Sequence, residues 1–375
     1  MFTTYSRNTQ IDDLLSRICI ELQISPSKHA EAESRYNAVS DWLGAEGSPL
    51  AIYQPRIHSQ GSLRIGTTVQ PIRHNEFDLD LVFQLNVPWE RVRNPIALLD
   101  IVEKRLKEPG SRYSSLVTRK NRCIRLDYAN EFHMDILPAC PNSTGPDGAV
   151  MVPDRKAQAW KPSNPSGYAT WFENKAAGLR LFAEKAAEPL PEHETAEEKK
   201  PLKLAVQLLK RWRDIHYQNA PDLAPISIVL TTLAANHYKG AVSVKDAIGT
   251  ILDGILSTIP LSGRLVVLNP TNAKEDFSER WDDDRRMYPA FVEGIKSFRR
   301  RWEEIDRRQG IHNIGQVLEQ LFGEKIYKTA QEAQAQAFKA AQDAGRIGFQ
   351  RKTGAIGLLG SMFPQAVPRN TFYGD

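Results

Sequence analysis

Asp78 and Asp80 stand two residues apart inside the apolar run Phe77–Phe83 (FDLDLVF). Side chains alternate between the faces of a strand, so both carboxylates project to one side, and Phe77, Leu79 and Leu81 to the other. Adjacent carboxylates repel, and a hard cation such as Mg²⁺ relieves that repulsion while keeping substrate phosphates as further oxygen ligands. Upstream lie Gln60-Gly61-Ser62 and then Gly66-Thr67. A Gly-Ser corner lets backbone N–H groups approach a phosphate closely, and the Ser62 hydroxyl adds a donor. The residues after Ser62 are expected to open a short helix whose N-terminus favours an anion. Downstream, Phe132–Pro138 (FHMDILP) is a second strand-like run with one acid, Asp135. A lone buried carboxylate is costly unless it is paired or bound to metal. Placed beside Asp78 and Asp80, Asp135 completes a cluster of three.

Gly-Ser, then Asp-x-Asp, then a distant Asp is the order of the polymerase-β-like nucleotidyltransferases, which this chain resembles. Other stretches narrow the resemblance. Asn164-Pro165-Ser166-Gly167-Tyr168 leads into Trp171-Phe172, Leu208–Asp214 reads LLKRWRD, and Asn269-Pro270 precedes Phe277 and Trp281. Together these are similar to the bacterial CD-NTases, relatives of cyclic GMP-AMP synthase and oligoadenylate synthase, over the span Gln60 to Phe322. The resemblance implies Asp78, Asp80 and Asp135 as catalytic ligands of two Mg²⁺ ions, with Mn²⁺ as an alternative. It implies nucleotide contacts from Gln60, Gly61, Ser62, Lys210 and Ser227, with Lys203, about two helical turns earlier, as the rival lysine. His133 shares Asp135's face and is read as a structural partner, not a ligand.

The implied activity joins NTPs, ATP among them, into a cyclic di- or trinucleotide second messenger in bacterial anti-phage defence. Two alternatives stay open at this point: a template-independent transferase that modifies RNA or protein, and a pseudoenzyme that only binds nucleotide. The intact acids argue against the second. The net charge of +4 argues against stable binding of a tRNA-sized polyanion. No GxxxxGK loop is present, which excludes a P-loop ATPase on motif grounds.

These residues need a scaffold. A chain of 375 residues, 41% hydrophobic and 25% charged, is ordinary globular material and long enough for two lobes. The expected fold is α/β (α+β): a nucleotidyltransferase lobe with a twisted mixed sheet and N-terminal helices over 1–160, a mainly helical lobe over 161–345, and a flexible tail over 346–375, with the site in the cleft between the lobes. Strands are expected at Ile52–Ile57, Tyr113–Thr118, Cys123–Tyr128 and Phe132–Leu137, the last two as a hairpin. Residues 138–167, rich in Pro, Gly, Ser and Asn, read as a loop passage. Residues 299–308 (RRRWEEIDRR) read as a solvated helix face. Cys19, Cys123 and Cys140 form no CxxC pair, so neither a disulfide framework nor a structural zinc site is expected. MFTTYSRNTQ lacks the apolar core of a signal peptide and no run of eighteen apolar residues occurs, so the reading is a cytoplasmic monomer without membrane contact. The segment after Phe363 (PQAVPRNTFYGD) ends in an aromatic pair, a glycine and an acid and reads as a free tail suited to capture by another protein, which the family resemblance implies is a conjugating partner of E1/E2-like type.

Overall fold

The computed structural model describes residues 4–72, 77–128, 132–177, 190–192, 194–196, 198–308, 310–349, 356–358 and 365–366. The chain opens with α1 (Thr4–Glu21) and α2 (Pro26–Gly44). Ser25 caps α2, accepting from the Lys28 N–H, and Pro26 sits where a missing N–H costs nothing. Then come β1 (Arg56–Gln60), the one-turn α3 (Gly61–Arg64), β2 (Phe77–Gln84) and α4 (Ile96–Leu106). The strand expected at Ile52–Ile57 begins later than the sequence suggests, after a 3₁₀ turn at Ala51–Tyr53.

Next follow β3 (Val117–Arg119), β4 (Ile124–Tyr128), β5 (Phe132–Pro141), β6 (Val150–Asp154) and β7 (Ala159–Ser163). The main sheet runs β1-β2-β5-β4-β3, with β6 and β7 continuing from the far end of β5. It is mixed: β2 and β5 are parallel, and β1, β4 and β3 each pair antiparallel with their neighbours. The hairpin expected between β4 and β5 pairs as foreseen, Tyr128 opposite Phe132, while its turn at 129–131 lies outside the described residues.

Alternation gives this sheet two unlike faces. Leu79, Leu81, Phe83, Ile124, Leu126, Phe132, Met134 and Ile136 are buried in one core with Tyr36 and Val39 of α2 and Leu99 and Val102 of α4. Burying each such side chain contributes about 1.5–3 kcal/mol, which fixes the register, because a slip by one residue would invert the faces. The opposite face therefore carries Asp78, Asp80, Arg125, Asp127, His133 and Asp135 by construction.

The expected loop passage at 138–167 is corrected: it contains the end of β5 and the β6–β7 hairpin. Its prolines masked the strands. Pro162 is tolerated because β7 is an edge strand, where an absent N–H leaves no ladder bond unmade.

The second layer is helical: α5 (Pro165–Ala177), α6 (Pro201–His216), α7 (Ser227–His237), α8 (Val244–Thr258), a hairpin of β8 (Leu268–Asn269) and β9 (Asn272–Asp276), then α9 (Arg280–Asp283), α10 (Met287–Arg307), α11 (Ile311–Phe322) and α12 (Glu324–Asp343). Its core gathers on α6, where Trp212 stacks on Phe298 with ring centroids 4.8 Å apart. α2 joins the sheet's core as expected, but Ile11, Leu14, Leu15, Ile18 and Leu22 of α1 are buried in the helical core instead. The basic run at 299–308 ends α10, and Arg299, Arg307 and Arg308 form ion pairs on its surface while Trp302 and Ile305 face inward. In the expected tail, β10 (Ile347–Phe349) pairs with β11 (Ile356–Leu358) and β12 (Gln365–Ala366), so strand structure extends past the helices. Of the segment after Phe363 expected to be a free partner handle, Gln365–Ala366 is paired in β12, and the remaining residues lie outside the described ones. No helix among the described residues is long and apolar enough to cross a membrane.

Candidate active site

Parallel pairing of β2 with β5 sets Asp80 beside Asp135 and Asp78 beside His133, and antiparallel pairing sets Gln60 of β1 beside Asp80. The chain turns sharply after Gln60. Gly61 has φ +66°, and a Cβ there would overlap Asp80 Oδ2, so only glycine lets the turn lie against the acid. Thr67 N–H donates to the Ser62 carbonyl at 2.8 Å, and the Ser62 and Thr68 hydroxyls lie 3.1 Å apart. The loop thus closes on itself with the Ser62 hydroxyl in the cleft.

The three acids have unequal surroundings. The Asp80 side chain makes no hydrogen bond or ion pair among the described residues, and its carboxyl is pushed up to about 8, first by burial and then by Asp78 and Asp135. Asp78 is raised as well; desolvation between the cleft walls leads and Arg125 opposes it. Asp135 is gripped by Arg125 from β4, its register partner: Nε donates to Oδ1 and Nη2 to Oδ2, both at 2.7 Å. The same Nη2 lies 3.2 Å from Asp78 Oδ1. Burial and these acids also hold the nearby Cys123 thiol protonated. His133 Nδ1 lies 3.0 Å from Oδ1 of Asp127, its cross-strand neighbour, and not against Asp135, the acid it was expected to partner.

The facing wall comes from α6 and α7. Lys210 is buried, and its ammonium donates to the carbonyl (2.9 Å) and hydroxyl (3.1 Å) of Thr67. Burial and Arg213 push its pKa down to about 7, against the pull of Asp214, Asp80 and Asp78. Arg213 donates to the Ser227 hydroxyl at the start of α7 and, through Nε, to Asp214 at 2.8 Å. Lys203 has different partners: it bridges Glu173 at 3.1 Å and Glu194 at 2.8 Å.

Between the walls lies a cavity of about 420 Å³, in the range of small-molecule pockets. Gln60, Gly61, Ser62, Asp78, Asp80, Lys210 and Ser227 line it, so seven of the eight expected site residues meet there. Asp135 sits next to Asp80 in the sheet but does not line the cavity, and the Arg125 guanidinium donates to both of its oxygens. In keeping with that, no three acidic, histidine or cysteine side chains among the described residues stand together as a ready metal-binding group. The sequence reading missed Arg125, Arg213 and Glu275. Glu275 of β9 also lines the cavity; it accepts from Asn269 at 2.7 Å and Ser163 at 2.9 Å, and burial raises its carboxyl. Only for Arg125 was a signal present, since Ile124–Tyr128 (IRLDY) alternates and Arg125 must share a face with Asp127.

Residues 9–176 match the model of the Second Messenger Oligonucleotide or Dinucleotide Synthetase domain. A c-di-GMP synthase of Roseivirga ehrenbergii is 30% identical over 388 aligned residues, which span 100% of both chains. The chain belongs to the bacterial CD-NTases. It is therefore a nucleotidyltransferase that makes cyclic oligonucleotides, as the resemblance implied. CD-NTases use divalent metal ions for nucleotidyl transfer. The solved CD-NTase CdnG of Bradyrhizobium diazoefficiens, in complex with GTP, superposes with a TM-score of 0.70 at 25% identity, covering 86% of this chain and 98% of that one. CdnC of Escherichia coli MS115-1, solved with ATP, shares the fold at 14% identity, with a TM-score of 0.63 and coverage of 84% and 98%.

Proposed function

We propose that this CD-NTase joins two molecules of GTP into cyclic di-GMP in the cleft between the sheet and the helical layer, as a signal in bacterial anti-phage defence. One observation carries the chemistry. Asp80, with no protein partner among the described residues, stands beside Asp135 and on the same strand face as Asp78, against the Gly61–Ser62 turn. A carboxylate so placed suits a divalent cation. Asp78, Asp80 and Asp135 would hold Mg²⁺, with Mn²⁺ as an alternative. The bound ions would lower the pKa of an attacking ribose hydroxyl and offset charge on the leaving pyrophosphate.

The chain's own groups do the rest. The Ser62 hydroxyl and the backbone beyond Gly61 bind terminal phosphates. Lys210, held near its titration point by burial, becomes fully charged when a triphosphate enters, because an anion favours the ammonium form. Arg213 and Ser227 extend that grip from the helical wall. The two walls act as the two lobes, 1–160 and 161–345, with α1 packed into the second. A second transfer in the same cleft closes the ring. The choice of guanine rests on the names of the two relatives, a c-di-GMP synthase and a GTP-bound CdnG, where the sequence alone left the bases open.

The test is incubation of the purified protein with each NTP alone, and with all four, in Mg²⁺, followed by mass spectrometry. Cyclic di-GMP from GTP alone is the expected result. A cyclic product lacking guanine would overturn the base assignment, and no cyclic product from any mixture would overturn the synthase reading for this cleft.

A further inference from the structure

We infer that Arg125 is a latch on the third acid: its guanidinium takes the place of a cation among Asp78, Asp80 and Asp135, and must let go of Asp135 before the three carboxylates can gather on metal. The inference rests on the reading of these acids as metal ligands.

Three observations carry it. Arg125 meets Asp135 in a two-pronged contact, 2.7 Å on each prong, and reaches Asp78 at 3.2 Å with the same nitrogen it offers to Asp135. Asp135 does not line the cavity, whereas Asp78 and Asp80 do. No ready group of three ligands stands among the described residues, although sheet register puts the acids side by side.

A guanidinium matches a carboxylate with two parallel charge-assisted hydrogen bonds and does not lose its proton in the ordinary pH range. The latch therefore opens by competition, not by titration. The other cations of the cleft are committed: Lys210 to Thr67, and Arg213 to Asp214 and Ser227. Among the described residues, Arg125 is the cation in contact with both Asp78 and Asp135, acids that would otherwise repel. It holds Asp135 in place while the site lacks metal, and weakens the site for metal by the same contact. Arg125 is thus a positioning residue.

The experiment measures Mn²⁺ uptake by the full-length protein without nucleotide, following the electron paramagnetic resonance signal of free Mn²⁺, for the wild type, Arg125→Gln and Arg125→Lys. Removing a positive charge within contact distance of the ligands should tighten Mn²⁺ binding on the order of tenfold in Arg125→Gln. Arg125→Lys keeps the charge without the fork and should fall between. The melting temperature in EDTA should drop in Arg125→Gln, and the rise on adding Mn²⁺ should exceed that of the wild type. A purely structural ion pair would lower the melting temperature without tightening Mn²⁺ binding. Unchanged or weaker Mn²⁺ affinity in both variants, with the wild type binding, would overturn the latch alone. No uptake by any of the three proteins would overturn the metal reading of the acids, and the latch with it.

Discussion

On the sheet wall of the cleft, Asp78, Asp80 and Asp135 are set by the register of β2 and β5, and one of them is tied down by Arg125. On the helical wall, Lys203 and Lys210 lie on the same helix, about two turns apart, and meet opposite fates. Lys203 is locked between Glu173 and Glu194, whereas Lys210, among the described residues, donates to the neutral oxygens of Thr67. On each wall one group left without an opposite charge among the described residues faces the cavity. Asp80 and Lys210 are those groups, and burial shifts both toward their neutral forms. An incoming metal–triphosphate supplies what each lacks.

The largest effect expected from this contrast is loss of the reaction when the two acids that line the cavity are removed. Asp78→Asn with Asp80→Asn should lower nucleotide joining by more than about 1000-fold, as expected when ligands of a transition-state charge stabiliser are lost. The metal-free fold should survive, since two mutually repelling charges disappear. A joining rate near that of the wild type would remove the acids from the mechanism. Ser62→Ala should cost less, about 10- to 1000-fold in turnover, because one donor goes and the backbone turn at Gly61 stays.

The two lysines test the helical wall. Lys210→Ala should raise the GTP concentration needed for half-maximal rate by about 10- to 100-fold, with little loss of stability. Lys203→Ala should do the reverse. It leaves Glu173 buried without its cation, so the fold should lose about 3 kcal/mol while the concentration dependence barely moves. Steady-state kinetics and urea melts on both variants read this directly. If Lys203→Ala raised the GTP requirement and Lys210→Ala did not, the assignment of the two walls would be reversed.

What could be read from the chain follows from how far apart the determinants lie. FDLDLVF and FHMDILP carry their own period of two, so the facing of Asp78, Asp80 and Asp135 was legible before any fold was known. Lys210 and Ser227 came from the family resemblance, since a buried lysine late in a helix has no local mark. Arg125's grip on Asp135 depends on strand pairing between β4 and β5, and Glu275's place in the cavity on a hairpin packed against β7, which local patterns do not encode. The packing of α1 failed for the same reason: its apolar stripe announces a buried face but not which core receives it. β6 and β7 were hidden by prolines, which edge strands accept and sequence rules penalise.

The smallest expected effect separates Asp80 from Asp135 by stability alone. Asp80 has a folded pKa raised to about 8 from an ordinary value near 4, so its contribution is fully present below about pH 4 and is lost as pH rises through about 8. An asparagine side chain in its place cannot ionise. Asp80→Asn and the wild type should therefore melt alike near pH 4 in EDTA, and the variant should gain on the wild type as pH rises to 8. Lys210 slopes the other way, gaining stability from about pH 7 toward its ordinary range, but it is present in both proteins and largely cancels in the difference. Asp135→Asn should instead melt below the wild type, because the neutral amide keeps one acceptor oxygen for the Arg125 fork and loses the other together with the charge. Melting curves by scanning fluorimetry at half-unit pH steps would show the two differences diverging as the pH rises. Should Asp80→Asn melt lower than the wild type at pH 8, Asp80 has a stabilising partner, and the division between paired and unpaired groups fails on the sheet wall, where it is drawn most sharply.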